Sequence, residues 1–244
     1  MRAMQWLLVL CLVAPFCAIA GEQTAESGEP AQLARLMQAR ELTSTGRHDD
    51  AIALIDQTLA YYAQKYPEGA TRWYVARTPE ETLLYLAGVA AEQKPQGKSG
   101  AMALDVLWAD AHYMKAYALY ELDQLDAARE SLAQALHLTP RNSRYRSELG
   151  NVHQTRQEWD EARRHYEAAE ADAEFSPADQ RVADLTRAKR GIGFVMIEQG
   201  NLDAAEAKFK ECLVLDPGDR GAQNELTYIA QLRAKQKSSP AASR

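Results

Sequence analysis

Apolar and small residues recur along the chain with the spacing of amphipathic α-helices, from near Gln32 almost to Lys237. Apolar positions lie three or four residues apart, and charged residues fill the intervals, which is typical of helices that bury one face. No segment shows the strict alternation of apolar and polar residues that a half-buried strand would show. The pattern therefore predicts an all-α protein.

The helical pattern also repeats. The stretch LDAARESLAQALHLTP, from Leu125 to Pro140, returns as LDAAEAKFKECLVLDP from Leu202 to Pro217. Three copies of about 34 residues follow from this phase: 109–142, 143–185 with an extended join from 177 to 185, and 186–219. Small residues stand where two helices would cross closely: Ala116, Ala128, Ala135, Gly150, Ala162, Ala169, Gly193 and Ala205.

This spacing of small residues, aromatic residues and a closing proline resembles the tetratricopeptide-repeat (TPR) family. The Leu149-Gly150 pair, Ala162 and Tyr166 carry the resemblance in the second copy, and Pro140 closes the first. The resemblance implies a right-handed α-solenoid of stacked helix-turn-helix repeats. Stacked repeats rotate slightly on one another, so a concave surface is expected.

The remaining segments are interpreted by the same helical pattern. Residues 67–108 are predicted to form a degenerate helical pair, which is either a degenerate repeat or a helical insert. Residues 220–237 are expected to form a capping helix over the last core face. The other assignments are a signal peptide at 1–20, a disordered leader at 21–31, a divergent TPR-like hairpin at 32–66 and a disordered tail at 238–244.

The first twenty residues have the features of an export signal. Arg2 precedes an apolar run from Trp6 to Phe16, and Ala18-Ile19-Ala20 forms a small-x-small cleavage site. The run is shorter than the roughly 20 apolar residues of a membrane-spanning helix. We therefore expect cleavage after Ala20 and a periplasmic location without stable membrane insertion, with a retained anchor as the alternative. The mature chain would keep Cys212 alone, so an intramolecular disulfide is excluded.

Composition and motifs favour a protein without catalytic chemistry. The formal net charge of −6 provides no overall attraction for nucleic acid. The five histidines form neither an i, i+4 pair nor an H-E-x-x-H string, so zinc is not expected. No cofactor fingerprint and no nucleophile with its base is recognisable. The sequence thus predicts no enzyme, no metal and no cofactor.

The family resemblance implies that the first helix of each repeat lines the concave face. The tyrosines there would offer contact area, and the arginines would offer forked donors to carboxylate or carbonyl groups of a protein or peptide partner. Tyr113, Tyr117 and Glu148 stand where chaperone-binding relatives carry a lysine and asparagines, which argues against that ligand. The expected partner-binding residues are Tyr113, Tyr117, Tyr120, Arg144, Ser147, Asn151, Gln154, Arg187, Arg190 and Phe194.

Two functions are compatible with these features. The first is a non-enzymatic interaction scaffold of the cell envelope that binds a peptide or helical segment in its groove. The second is a regulatory or carrier subunit of an envelope enzyme complex, for cell-wall, secretion or pilus assembly. A separate pocket built by the segment 67–108 would favour the second. Self-association through an uncovered end of the solenoid is also open.

Overall fold

The computed structural model describes residues 28–69, 71–91, 100–104 and 107–238 of the 244-residue chain. Within these ranges the chain forms ten α-helices, one short 3₁₀ turn and two β-strands. The helices are α1 (Glu29–Ser44), α2 (His48–Lys65), α3 (Pro79–Ala91), α4 (Trp108–Glu121), α5 (Leu125–Leu138), α6 (Ser143–Thr155), α7 (Trp159–Asp172), α8 (Arg181–Glu198), α9 (Leu202–Leu215) and α10 (Arg220–Ser238). The strands are β1 (Thr71–Val75) and β2 (Gly100–Leu104).

Three predictions concern residues at the chain ends. The signal peptide at 1–20 lies outside the described residues, as do positions 21–27 of the predicted leader and 239–244 of the predicted tail. The prediction of a disordered leader at 21–31 is wrong for residues 29–31, because α1 begins at Glu29. A proline at the start of this helix suits the first turn, where its missing N–H costs no hydrogen bond. The tail prediction is wrong at Ser238, the last residue of α10.

Four helical hairpins share one turn geometry. Each turns through a residue in the left-handed backbone region: Gly46 (φ 78°), Asp123 (φ 58°), Gln157 (φ 58°) and Gly200 (φ 78°). The next amide donates to the carbonyl oxygen five residues earlier, as in a Schellman motif. These bonds join Arg47 to Leu42 (2.9 Å), Gln124 to Leu119 (2.9 Å), Glu158 to His153 (2.9 Å) and Asn201 to Met196 (2.8 Å). The hairpins α1–α2, α4–α5, α6–α7 and α8–α9 are therefore in phase.

The cores of the four hairpins also correspond position by position. The second helix of each presents two fully buried residues to its neighbours: Ala51 and Thr58, Ala128 and Ala135, Ala162 and Ala169, Ala205 and Cys212. Their small volume allows the helices to cross closely. Each hairpin also contacts the next, since α2 packs on α4, α5 on α6, and α7 on α8. This confirms the predicted helical repeat fold.

Helix α10 packs against α9 at the end of the stack and occupies the segment predicted as a capping helix. Ala222 and Ile229 are buried against Phe209 and Cys212. The face of α9 that would otherwise be uncovered is thereby removed from water. Leu226 and Leu232 are partly buried in the same cluster.

The prediction for residues 67–108 is wrong. Instead of a helical pair, β1 and β2 form a parallel two-stranded sheet on either side of α3, with Thr71 paired to Gly100 and Val75 to Leu104. The strand β2 (GAMAL) lacks polar alternation and is rich in residues with good helix propensity. Its strand conformation depends on pairing with a segment far away in sequence, which local periodicity does not report. We call residues 71–91 and 100–104 the βαβ insertion.

The βαβ insertion is fixed to the repeats by apolar contacts and a few polar contacts. Val75 joins the core cluster of Leu138 and Tyr145. The Tyr85 hydroxyl accepts a hydrogen bond from the Arg141 amide at 3.4 Å, in the loop between α5 and α6. A two-stranded sheet is marginally stable alone, so this docking is what stabilises it.

Candidate functional site

Two adjoining pockets lie along the first helices of the last three hairpins, α4, α6 and α8. Their volumes are about 200 Å³ on the α4 side and about 300 Å³ on the α8 side. Glu148 and Asn151 line both, so the two pockets form one continuous groove. The lining includes nine of the ten predicted residues: Tyr113, Tyr117, Tyr120, Ser147, Asn151, Gln154, Arg187, Arg190 and Phe194.

The three predicted tyrosines on α4 differ in what they can offer a ligand. Tyr113 stacks on Tyr145, with ring centroids 4.9 Å apart, and packs against the core. The Tyr120 hydroxyl hydrogen-bonds the Thr155 hydroxyl at 2.7 Å, and its ring also contacts the core. Tyr117 is 47% exposed. Among these three, Tyr117 is therefore the side chain whose ring is free for a partner.

Arg144 lies at the rim rather than in the pockets. Its guanidinium stands 4.8 Å from the Tyr113 ring centroid and donates a hydrogen bond to the Tyr113 hydroxyl at 3.1 Å. The cation–π contact and the hydrogen bond together hold the side chain on Tyr113. The guanidinium of Arg144 therefore already has a neighbour within the fold.

The other two predicted arginines are paired with buried aspartates. Arg187 contacts Asp184 at 3.1 Å, and Arg190 contacts Asp219 at 2.5 Å. The aspartate side chains are only 3% and 4% exposed. Buried carboxylates need such partners to offset their loss of hydration. Much of the positive charge expected on this wall is consequently neutralised within the fold.

Glu148 occupies the centre of the groove, and the sequence analysis did not assign it a binding role. Its nearest ion-pair partner is Arg187, with 3.9 Å between Nε and Oε1, too long for a hydrogen bond. Burial raises the pKa of the Glu148 carboxyl group, although Arg187 and Arg144 act in the opposite direction. The carboxylate is therefore poorly compensated. A useful sequence signal was present, since Glu148 replaces an amide residue expected from the family pattern.

A second glutamate reaches the groove from the capping helix. Glu225 on α10 lines the same pocket as Glu148, beside Gly221. Burial raises the pKa of its carboxyl group, and the neighbouring charge of Glu198 raises it further. The helical pattern of residues 220–237 predicted only a covering role, because periodicity does not show which polar residue of a helix faces a groove built by other helices.

The polar side chains on the floor of the groove differ in whether they already form hydrogen bonds. The Gln154 side-chain oxygen accepts a hydrogen bond from the Tyr166 hydroxyl at 2.9 Å. Ser147 is 1% exposed, and its hydroxyl oxygen has no hydrogen-bond partner in the described structure. A buried hydroxyl without a partner is costly. Phe194 lies at the α8 edge, with its ring centroid 6.5 Å from that of Trp159.

The described residues provide little for metal or nucleophilic chemistry. No group of three or more His, Cys, Asp or Glu residues there is arranged to hold a metal ion. His153 is buried, stacks on His165 at 5.0 Å and contacts Glu158 through Nδ1 at 2.5 Å, which makes it a packing residue. Cys212 is fully buried, and burial raises the pKa of its thiol to about 11.

Comparison with known proteins finds a family match within the repeats. Residues 113–178 match the family described as Tetratricopeptide repeat. No curated protein matches the chain by sequence. No helix in the described ranges combines the length and apolar character needed to cross a membrane.

Several solved structures share the fold at low sequence identity. PilF of Pseudomonas aeruginosa is 14% identical with a TM-score of 0.57, covering 84% of this chain and 70% of its own. A Podosopora anserina structure described as a kinesin light chain with nearly identical TPR-like repeats is 15% identical with a TM-score of 0.55, covering 86% and 90%. MamA of Desulfovibrio magneticus RS-1 is 15% identical with a TM-score of 0.52, covering 86% and 89%.

Proposed function

Because this chain is a tetratricopeptide-repeat protein, we propose that it is a non-enzymatic scaffold that binds a peptide or helical segment of a partner protein in its groove. Stacked helical repeats commonly present extended concave surfaces for such partners. The observation that carries the proposal is the position of Tyr117. Its exposed ring adjoins a polar floor formed by Ser147, Glu148 and Asn151.

The groove has the composition of a protein-binding site. Exposed aromatic rings give contact area at low entropic cost, and interface centres are enriched in such residues. Tyr117 lines one pocket and Phe194 the other, with the polar Glu148 and Asn151 common to both, which suits a segment that makes apolar and polar contacts. Among the described residues of the βαβ insertion, none lines either pocket, so the proposed groove is built by the repeats and α10.

A photo-crosslinking experiment tests this function. A photoreactive amino acid replaces Asn151 in the groove of the full chain, and the matched control carries it at Glu130, an exposed residue of α5 outside the groove. We expect a discrete adduct with a partner protein from position 151 only, reduced by the additional change Tyr117→Ala. Equal adducts from both positions, or an adduct from position 151 that Tyr117→Ala leaves unchanged, would rule out the groove as the binding site.

We also propose that the scaffold acts in the bacterial cell envelope. The charged start, short apolar run and small-x-small site before Gly21 support export. N-terminal sequencing of the protein after expression in a bacterium, combined with fractionation, tests this. A mature chain that begins at Gly21 in the periplasmic fraction is expected, whereas an unprocessed chain in the cytoplasm would contradict the proposal.

A further inference from the structure

The charges that line the groove do not balance. Arg187 and Arg190 are the basic residues of the lining, and each is paired with a buried aspartate, Asp184 or Asp219. The acidic lining residues are Glu121, Glu148 and Glu225. Since the two arginines are already neutralised, the carboxylates leave an excess of negative charge inside a concave surface, where the field is concentrated.

Two of these carboxylates lack close compensation. Glu148 is 3.9 Å from the guanidinium of Arg187, which is shared with Asp184. In the described part of the chain, Glu225 forms neither a hydrogen bond nor an ion pair, and the charge that acts on it comes from another glutamate, Glu198. Partial burial of an uncompensated carboxylate is unfavourable. A cation between them would remove this cost.

Ser147 supplies an independent sign of a missing ligand. Its side chain lines the same pocket as Glu148 and Glu225, is almost completely buried, and leaves its hydroxyl oxygen without a partner. A hydroxyl can accept a hydrogen bond from an ammonium or guanidinium group, or donate one to a peptide carbonyl. Native structures seldom leave such a group unpaired, and a polar group that enters the pocket would satisfy it.

We infer that the groove binds a lysine- or arginine-bearing segment of a partner protein, with the basic side chain placed between Glu148 and Glu225. This inference rests on the proposed function and specifies the chemistry of the partner. The Ser147 hydroxyl and the Asn151 side chain, which line the same pocket, are available to hydrogen-bond the segment. The exposed Tyr117 ring, next to Glu121 in the adjoining pocket, provides a second position where a cation is stabilised by an aromatic face.

This partner differs from the one that the arginines alone would suggest. Three arginines along the first helices point to a carboxylate-bearing ligand when they are considered without their surroundings. In the folded chain, Asp184 and Asp219 hold two of them and Tyr113 holds Arg144. Like-charge contact with the glutamates would oppose an acidic segment.

Fluorescence anisotropy with defined peptides tests the inference. The probe is a fluorescein-labelled synthetic peptide in which lysine alternates with alanine, and the matched peptides carry glutamate or glutamine in place of lysine. We expect the full chain to bind the lysine peptide most tightly and more weakly as salt is added. The changes Glu148→Gln and Glu225→Gln should each weaken binding by about tenfold, the value of one charge-assisted hydrogen bond.

The control Glu130→Gln removes the same charge outside the groove and should leave the affinity unchanged. Equal weakening by Glu130→Gln would show general attraction to an acidic protein and overturn the inference. Tighter binding of the glutamate peptide, or equal binding of all three, would do so as well. The free chain could also sediment as a dimer that the lysine peptide dissociates. That result would identify a second copy of the chain as the occupant of the groove and would contradict the inference.

The crosslinking experiment separates this inference from the proposed function. An adduct at position 151 together with no preference for lysine would keep the groove as a binding site and reject a basic partner. Absence of the adduct would reject the proposed function, whatever the peptides show. The far-ultraviolet circular dichroism of each variant should match that of the original chain, so that a loss of binding is attributable to the groove.

Discussion

Gly193 on α8 lies directly against the ring of Phe209 on α9. A Cβ atom on residue 193 would stand 2.7 Å from Phe209 Cζ, closer than packed carbon atoms approach. The preceding hairpin shows the same relationship, because a Cβ on Gly150 would stand 2.9 Å from Tyr166 Cε1. The glycine in the first helix therefore makes room for an aromatic ring in the second.

The first two hairpins carry different residues at the positions of the glycine and the aromatic ring. Ala39 and Ala116 take the place of the glycine, and Ile55 and Leu132 take the place of the ring. All four are buried. The volumes of the two positions thus compensate each other from one repeat to the next, as close-packed interiors require.

This relationship predicts that Gly193→Ala destabilises the protein. In an ordinary helix interior, replacing glycine with alanine is favourable by about 0.5 to 1 kcal/mol. Here the added methyl group meets the rigid Phe209 ring, and overpacking typically costs about 1 to 3 kcal/mol. The free energy of unfolding, measured by urea denaturation, should therefore fall.

Two variants make this interpretation testable. Gly88→Ala on α3 is the matched control, since no described atom beyond its chain neighbours and the adjacent backbone of α3 lies within 4 Å of its added Cβ, and it should be neutral or stabilising. The double variant Gly193→Ala/Phe209→Leu reproduces the residue pair of the α4–α5 hairpin and should be less destabilised than the sum of its single changes. Additive effects would mean that the two positions do not compensate each other.

Much of the repeat architecture was predictable because its determinants are local. The turn at Gly200 and the small residues at Ala128 and Ala162 recur at a fixed spacing. The glycine marks the reversal of a hairpin, and the buried alanines mark close helix crossings. The βαβ insertion could not be predicted this way. Its strand β2 depends on pairing with β1, and residues 100–104 carry no alternation of their own.

The position of the candidate site was predictable, but its charge was not. The repeat phase places Tyr117 and Arg190 along one groove, because equivalent helices face the same way. Whether an arginine is available depends on its three-dimensional partners. Asp219 lies 29 residues from Arg190 in sequence, and Glu225 reaches the groove only because α10 folds back against α9 and α8.

We predict that Asp219→Ala loosens the start of α10. One carboxylate oxygen of Asp219 accepts a hydrogen bond from the Ala222 amide at 3.1 Å, and the other contacts Arg190 at 2.5 Å. Loss of such a helix cap costs about 0.5 to 2 kcal/mol. Hydrogen exchange should accelerate at the amide of Ala222. Asp219→Asn keeps an oxygen for the cap and should protect this amide better; equal exchange in both variants would contradict the capping role.

We predict that Glu81→Ala unfolds the βαβ insertion while the repeats stay folded. The Glu81 side chain is fully buried, accepts a hydrogen bond from the Arg77 amide at 2.7 Å and pairs with the Arg77 guanidinium. Removing one member of a buried ion pair typically costs about 3 to 5 kcal/mol. Hydrogen exchange should rise within residues 71–91 and 100–104, and change little in α6 and α8. The exposed neighbour gives the control, because Glu80→Ala should leave exchange unchanged.

We predict that Cys212 makes the protein less stable at alkaline pH. Burial raises the pKa of its thiol from 9.0 to about 11. The folded state therefore favours the protonated thiol, and its contribution to stability is complete below pH 9 and is lost as the pH rises toward about 11. Each unit of this difference corresponds to about 1.4 kcal/mol. Between pH 8 and 11, the free energy of unfolding should fall more steeply for the original chain than for Cys212→Ala.

Cys212→Ala is a suitable comparison because the equivalent positions of two other hairpins, Ala135 and Ala169, already carry alanine. The raised pKa values of buried tyrosines such as Tyr85 affect both proteins alike, so the difference between their pH profiles isolates the thiol. Parallel profiles would show that the Cys212 thiol ionises as easily in the folded chain as in the unfolded one. A thiol reagent gives a second readout, since it should modify Cys212 slowly in the native protein and rapidly in urea.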